Sequence, residues 1–287
     1  MTHWYLLALT ALVVLGLQRF LYKVSAEMRC NSAVTTFAFM ATVALLSWCA
    51  YLPRAAAVTH LGPLLIISLV NSLGFLTGTL ATIEALKALP AGTVYPLTRL
   101  STVLSVLFSL AYFGDRLNLR QGCGVLLALA VIVLLARSRG GAVAATSPGH
   151  ARRGLLLALL AIAGGAASTV SSKFAAVQVD TFGFMAVSYT MSTLLVVAVK
   201  KRMLPQRAGQ RTRPALFIGM AMGVTNFFGF YALLRALASG PLAIIAPLVG
   251  MYFIMAVLLS FLIYRERVTR QQLLAIALTV LSIWLMK

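Results

Sequence analysis

The amino-acid sequence predicts an all-α membrane protein with ten transmembrane helices, arranged as an inverted repeat of five helices followed by five. The 287 residues are 61% hydrophobic and only 10% charged, and their mean hydropathy of +0.96 exceeds what a water-exposed surface tolerates. Apolar runs of about 20 residues, the length that crosses a ~30 Å hydrocarbon core as a helix, recur ten times. An internal duplication divides these runs into two sets of five.

Each apolar run is predicted to be a helix, because isolated strands would leave backbone N–H and C=O groups unpaired in lipid. The sequence also lacks the alternating segments of about ten residues that are typical of strands in a membrane barrel. In chain order, the predicted spans are 3–24, 32–52, 61–86, 90–113, 118–137, 153–176, 182–200, 215–237, 241–264 and 268–286.

The duplication is clearest between residues 84–121 and 235–272, which align without a gap at an offset of 151 positions. Two prolines and an acid–Arg pair that fall in register indicate a duplicated unit. The aligned positions are Pro90 with Pro241, Pro96 with Pro247, Asp115 with Glu266, and Arg116 with Arg267.

The two copies are predicted to comprise residues 1–137 and 153–287, joined by a linker at 138–152 that is rich in Gly, Ala and Ser. Each copy contains five spans. Because five is an odd number, the second copy must enter the membrane from the opposite side, which makes the repeat an inverted one.

Orientation is predicted from the Lys and Arg residues in the breaks between spans. The membrane face that carries both termini has six of them, and the other face has sixteen, including Lys200, Lys201 and Arg202 in one loop. By the positive-inside rule, the face with sixteen is cytoplasmic and both termini lie outside.

The composition also excludes several classes of function. The net charge of +19 is spread over short breaks rather than along one amphipathic face, so we expect contact with membrane lipid and no nucleic-acid partner. Cys30, Cys49 and Cys123 are scattered without metal-ligand spacing, and we expect no metal site. Since no HExxH motif, Walker loop or Ser/His/Asp set occurs, we expect no catalytic residue, no enzymatic activity and no cofactor.

Two prolines are candidate hinges. Pro96 and Pro247 lie about six residues inside the fourth and ninth spans, where proline removes one backbone hydrogen bond and bends the helix. In a transporter, such a break supplies free carbonyls and a pivot beside a cavity. The alternative is a tolerated kink, which is common in membrane helices; the matched positions in the two copies favour the hinge.

Arg99 is the most informative charge in the sequence. It lies nine residues into the fourth span, where a charge costs at least ~2.5 kcal/mol and normally faces protein or water. With Tyr95 and Thr98 it begins a polar stripe that continues at three- and four-residue steps. Arg99 either faces a solute, or reaches the nearer interface, or pairs with Glu84.

Other spans add further candidate residues. Arg19 is deep in the first span, and the remaining candidate solute-binding residues are Asn71, Ser168, Asn226 and Tyr252. Lys23 and Lys173 lie near predicted helix ends, where their side chains are expected to extend to the interface. The glycine pairs Gly74–Gly78 and Gly219–Gly223 are interpreted as sites of close helix packing.

The chain resembles the EamA-like ten-helix members of the drug/metabolite transporter superfamily over essentially its whole length. The most specific segments are ALKALPAGTVYPLTRLSTVLSVLFSLAYFGDRL and ALASGPLAIIAPLVGMYFIMAVLLSFLIYRERV. The resemblance implies an inverted five-plus-five bundle with a central cavity, moved by rocking helices. It also implies cytoplasmic termini, which disagrees with the charge count. We follow the charge count because it is read from this chain.

Together these features predict a secondary transporter in the cell inner (plasma) membrane that exports a small organic metabolite such as an amino acid by alternating access. Gln18 and Arg19 occupy the region where small multidrug-resistance relatives carry a glutamate, which argues against proton-driven export of cations. The alternatives are transport of an organic anion or phosphorylated metabolite, and a non-transporting membrane assembly or sensor subunit. We expect a monomer or a homodimer.

Overall fold

The computed structural model describes residues 3–53, 61–89, 91–138, 148–203, 211–264 and 270–287, and the regular elements in these ranges are helices. A π-helical turn at Ser109–Phe113 continues α4. In chain order, the helices are α1 (His3–Glu27), α2 (Ser32–Tyr51), α3 (Leu61–Ala88), α4 (Ala91–Phe108), α5 (Leu119–Ser138), α6 (Pro148–Gln178), α7 (Thr181–Met203), α8 (Arg213–Ser239), α9 (Leu242–Gly250), α10 (Phe253–Tyr264) and α11 (Arg270–Met286).

The predicted all-α membrane fold is confirmed. Six helices, α1, α2, α3, α6, α7 and α8, contain stretches long and apolar enough to cross a membrane, and shorter apolar helices follow in α4, α5 and α11. Large apolar side chains such as Leu126 and Phe217 lie on the outside of the protein, 68% and 67% exposed. Exposure of large apolar side chains to water is unfavourable, and such side chains are expected where lipid covers the helix.

The ninth predicted span differs from the prediction, because it forms two helices rather than one bent helix. Pro247 lies inside α9, which continues to Gly250 before the chain leaves the helix at Met251 and Tyr252. The Met251 N–H bonds to the carbonyl of Leu248 at 3.2 Å, a three-residue spacing that tightens the end of the helix. Tyr252 therefore lies between two helices, with its carbonyl accepting from the first turn of α10.

The chain divides into two compact units, and each takes helices from both sequence copies. The first unit comprises residues Met1–Ser72, Ser172–Ser239 and Tyr252–Glu266. The second comprises Leu73–Ser171, Gly240–Met251 and Arg267–Lys287.

In the first unit, α8 packs against α1 and α2, while α7 packs against α2 and α10 against α1. A Cβ built on Gly219 would lie 2.6 Å from the carbonyl oxygen of Thr35, and one on Gly223 would lie 2.9 Å from that of Phe39. Only glycine permits so close an approach of two helix backbones. The core around this contact includes Phe184 and Met222, which are fully buried.

In the second unit, α5 packs against α4, α9 and α11, and α4 packs against α9. Residues of α3 and α6 that belong to this unit cross at glycines. A Cβ on Gly164 would lie 2.7 Å from both the carbonyl oxygen of Gly74 and the amide nitrogen of Gly78. The interpretation of both predicted glycine pairs as packing sites is therefore confirmed.

Candidate solute-binding site

The first unit contains a charged side chain surrounded by aromatic rings. Arg19 lies on α1, eight residues before the helix ends at Glu27, and its side chain is exposed. The guanidinium carbon is 5.4 Å from the ring centroid of Tyr22 and 4.8 Å from that of Tyr252. Tyr22 follows Arg19 by three residues, which places both on the same face of α1. Both distances fall in the range of cation–π interactions.

Tyr252 reaches Arg19 because α1 carries a glycine at the crossing point. A Cβ on Gly16 would lie 2.7 Å from the carbonyl oxygen of Tyr252 and would also overlap the Met255 side chain. Gly16 and Arg19 are one turn apart on α1, so the close approach at Gly16 brings the Tyr252 ring beside the guanidinium.

A chain of hydrogen bonds joins three polar side chains from α7, α8 and α1. The Tyr189 hydroxyl donates to Oδ1 of Asn226 at 2.5 Å, and Nδ2 of Asn226 donates to Oε1 of Gln18 at 3.1 Å. Gln18 and Asn226 are only 4% and 6% exposed. Buried polar groups require such partners, because an unpaired amide costs about 1–3 kcal/mol.

The hydrogen-bond chain and Arg19 belong to one polar cluster. Tyr189, like Tyr22 and Tyr252, lies close enough to interact electrostatically with the Arg19 guanidinium. Among the residues that the structure describes, no Asp or Glu forms an ion pair with Arg19. The cluster therefore presents a positive charge and hydrogen-bond donors without a carboxylate to neutralise them, which is the chemistry that binds an anionic group.

The structure brings together three of the predicted site residues, Arg19, Asn226 and Tyr252. It also adds Gln18, Tyr22 and Tyr189, which the sequence analysis did not place in the site. The three-residue spacing of Arg19 and Tyr22 could have indicated Tyr22. No signal in a single sequence joins Gln18 to Asn226 or Tyr189, because these contacts bridge distant parts of the chain.

The other predicted site residues lie elsewhere. Nδ2 of Asn71 donates to Oγ of Ser172 at 3.0 Å, a buried contact within the first unit. Ser168, Thr98 and Arg99 belong to the second unit and are partly buried. The backbone of Tyr95 and Pro96 is helical, but their side chains lie outside the described residues. The binding roles of these residues and the hinge roles of Pro96 and Pro247 stay predictions.

Lys173 lies near a predicted helix end, and its side chain was expected to extend to the membrane interface. In the structure it is buried instead. It is 8% exposed, and its Nζ donates to the carbonyl oxygen of Leu237 at 2.6 Å. Leu237 is in the last turn of α8, where carbonyls have no partner within the helix and the helix dipole is negative. An ammonium group at this end stabilises α8, which explains why the lysine is buried.

Comparison with known families agrees with this architecture. The profile of the EamA-like transporter family matches the sequence twice, at residues 2–137 and 152–287. The chain belongs to this family. It is therefore a multi-pass membrane protein of the drug/metabolite transporter superfamily, and the family supports transport of small solutes.

The fold of this EamA-like transporter is also found in a solved crystal structure. The two share 19% sequence identity and a TM-score of 0.78, with 99% of this chain and 96% of the other covered. At this identity the likeness concerns the fold alone. A search among curated proteins found no match.

Proposed function

We propose that this EamA-like transporter is a secondary transporter of a small organic solute with a carboxylate group, such as an amino acid, and that Arg19 binds the carboxylate. The observation that carries the proposal is the position of the Arg19 guanidinium between Tyr22 and Tyr252, exposed and without a carboxylate partner among the described residues. A guanidinium matches the planar geometry of a carboxylate with two parallel hydrogen bonds.

The aromatic neighbours support this role. Ring faces hold the guanidinium by cation–π attraction without supplying a formal negative charge, so the charge stays available to a solute. The hydroxyl oxygens of Tyr22, Tyr189 and Tyr252 can also accept hydrogen bonds, as the ammonium group of an amino acid requires. The same positive charge opposes binding of an organic cation, since like charges repel strongly where water is scarce.

Transport is proposed to occur by alternating access, with export from the cytoplasm across the inner (plasma) membrane. The support is the resemblance to EamA-like exporters of amino acids and other small metabolites, together with the inverted repeat, which is the arrangement of many secondary transporters. Binding of a solute at the Arg19 cluster does not itself set the direction of net flux. The solute gradient sets that direction, and export follows where the solute is more concentrated in the cytoplasm.

The test is counterflow in proteoliposomes that contain purified protein and a radiolabelled amino acid. Each of the twenty amino acids is assayed with the wild type and with three variants. We expect Arg19→Gln to abolish counterflow of the transported amino acid and Arg19→Lys to restore it only in part, because a point charge cannot form two parallel hydrogen bonds. The matched control is Arg116→Gln, which removes an exposed arginine in a break between helices and should transport normally. Normal counterflow by Arg19→Gln would contradict the assignment.

A further inference from the structure

Backbone hydrogen bonds join two loops of the first unit. The N–H of Asn31 donates to the carbonyl oxygen of Arg211, and the N–H of Arg211 donates to that of Arg29, both at 3.1 Å. Both loops belong to the first unit. The bridge therefore fixes the α1–α2 loop beside the end of the α7–α8 loop, although the two are distant in sequence.

This bridge brings together an arginine patch that consists of Arg29, Arg211 and Arg213. All three side chains are exposed, and Arg213 is the first residue of α8, two positions after Arg211. None of the three guanidinium groups forms a hydrogen bond or an ion pair with a described residue, and this includes Glu27, two positions before Arg29. The patch therefore concentrates positive charge without a protein carboxylate to balance it.

The sequence adds further positive charge next to the arginine patch. Residues 200–213, which connect α7 with α8, include six Lys or Arg residues and no Asp or Glu. Clusters of four to eight basic residues beside a membrane helix are typical of sites that bind anionic phospholipid. The face that carries the patch is predicted to be cytoplasmic, and the cytoplasmic leaflet is the one with a negative surface potential.

We propose that the arginine patch binds the headgroups of anionic phospholipid, with Arg29, Arg211 and Arg213 in contact with lipid phosphate. A guanidinium presents a planar fork of N–H donors that matches two phosphate oxygens. Exposed arginines beside the first turns of membrane helices lie at the depth of the headgroup layer, where such oxygens are abundant. This binding concerns the membrane and is independent of the transported solute.

Thermal unfolding of the purified full-length protein in detergent micelles tests the proposal. Phosphatidylglycerol, phosphatidylcholine and inorganic phosphate are titrated separately, and the rise of the thermal midpoint gives an apparent Kd for each. We expect phosphatidylglycerol to raise the midpoint, and phosphatidylcholine and inorganic phosphate to leave it almost unchanged. The double variant Arg211→Gln/Arg213→Gln should bind phosphatidylglycerol about 25-fold more weakly, because each arginine near a charged headgroup contributes roughly fivefold.

A second variant keeps the test decisive if the double variant does not fold. Arg29 has a φ of 52°, a left-handed conformation that glycine adopts at lower cost. Arg29→Gly should therefore leave the thermal midpoint in lipid-free detergent unchanged or raise it, while it weakens phosphatidylglycerol binding about fivefold. The matched control is Arg116→Gln/Arg235→Gln, which removes two exposed arginines from the face predicted to be opposite and should bind phosphatidylglycerol as the wild type does.

The alternative is that these arginines only set the topology of the chain, for which the positive-inside rule requires no bound lipid. Weaker binding of phosphatidylglycerol by the double variant or by Arg29→Gly, with the control unchanged, would support the proposal. No effect of phosphatidylglycerol on the wild type, or equal affinity in all variants, would overturn it in favour of a topological role. Equal weakening in the control would show attraction by net charge alone, and an equal response to inorganic phosphate would show a site for free phosphate; either result would overturn the lipid site.

Discussion

The carboxylate of Asp115 accepts a hydrogen bond from the backbone N–H of Ala243, with the two atoms 3.1 Å apart. Ala243 is the second residue of α9, so its N–H has no acceptor within the helix. The same carboxylate oxygen accepts from the hydroxyl of Ser109 in the π-helical turn. Asp115 therefore caps a helix of the second sequence copy from the loop that ends the fourth span of the first copy. Its aligned counterpart Glu266 lies outside the described residues.

Removal of this cap should destabilise the second unit. We expect Asp115→Ala to lower the thermal midpoint in detergent, because the loss of a helix cap costs about 1 kcal/mol and the negative charge at the start of α9 is also lost. Asp115→Asn keeps an oxygen acceptor and should therefore lower the thermal midpoint by a smaller amount. The control is Glu27→Ala, which removes an exposed carboxylate at the end of α1. Equal midpoints for Asp115→Ala and the control would show that the cap adds no stability.

The approach of Tyr252 to α1 gives a second prediction. Gly16→Ala should lower both the thermal midpoint and the affinity for the transported solute, because its methyl group would displace the Tyr252 carbonyl and with it the ring beside Arg19. Overpacking of this kind costs about 1–3 kcal/mol.

The matched control for Gly16→Ala is Gly122→Ala. Gly122 lies in α5 and a Cβ there would meet nothing within 4 Å, so the substitution should be neutral or slightly stabilising, since alanine favours a helix over glycine by about 1 kcal/mol. Both variants are compared by thermal unfolding and by solute competition. If Gly16→Ala behaves like Gly122→Ala in both measurements, the contact at Gly16 does not position Tyr252.

The sequence predicted the helices well because the physical signal is strong: a run of about 20 apolar residues has few alternatives to a membrane helix. It did not predict the end of α9 at Gly250, because Pro247 was the visible helix breaker while the interruption comes at Met251 and Tyr252. Pro247 is the sixth residue of α9 and lacks the N–H that would bond to the carbonyl of Ala243, yet α9 continues for three residues beyond it.

For the site, the sequence predicted the residue types better than their partners. An arginine deep in a predicted membrane span is recognisable because a charge costs free energy there, and Arg19 was singled out for that reason. Tyr22 and Tyr189 were not singled out: Tyr22 shares a face of α1 with Arg19, a spacing that was not used, and the position of Tyr189 beside Asn226 depends on the fold. The contact of Gln18 with Asn226 joins positions 208 residues apart, and only the fold brings them together.

The orientation of the protein in the membrane gives a third prediction, made from the charge count alone. The structure adds that two loops of the Arg-rich face are paired: Asn31 N–H donates to the carbonyl of Arg211, and Arg211 N–H donates to that of Arg29, both at 3.1 Å. The α1–α2 loop and Arg211, two residues before α8, therefore lie on one face, which we expect to be cytoplasmic.

Reporter fusions test this orientation. A reporter active only in the cytoplasm should be inactive when fused after Lys287. A cysteine at the exposed position Thr212 should be protected from an impermeant thiol reagent in intact cells and should react after lysis, in a background in which Cys49 and Cys123, the exposed native cysteines among the described residues, are replaced by serine. Strong activity of the fusion together with labelling at position 212 in intact cells would reverse the predicted topology.

The last prediction concerns Arg99 and its predicted role as a solute ligand. Arg99 is partly buried on α4, and no hydrogen bond or ion pair joins it to another described residue. By contrast, Arg120 in the same unit has a partner in Trp284. Its Nη2 donates to the Trp284 carbonyl oxygen at 2.9 Å, and its guanidinium carbon lies 4.1 Å from the centroid of the indole ring.

The two arginines should therefore respond differently to the same substitution. Arg99→Gln should reduce counterflow while leaving the thermal midpoint unchanged or raising it, because removal of a partly buried charge without a partner relieves a desolvation cost. Arg120→Gln should lower the midpoint and leave counterflow intact, because it breaks a structural contact. The sequence alternative of an Arg99–Glu84 pair is not found among the described contacts, so Glu84→Gln should not reproduce the effects of Arg99→Gln. Normal counterflow by Arg99→Gln would contradict a solute-binding role of Arg99 and leave Arg19 as the one cation of the described spans assigned to the solute.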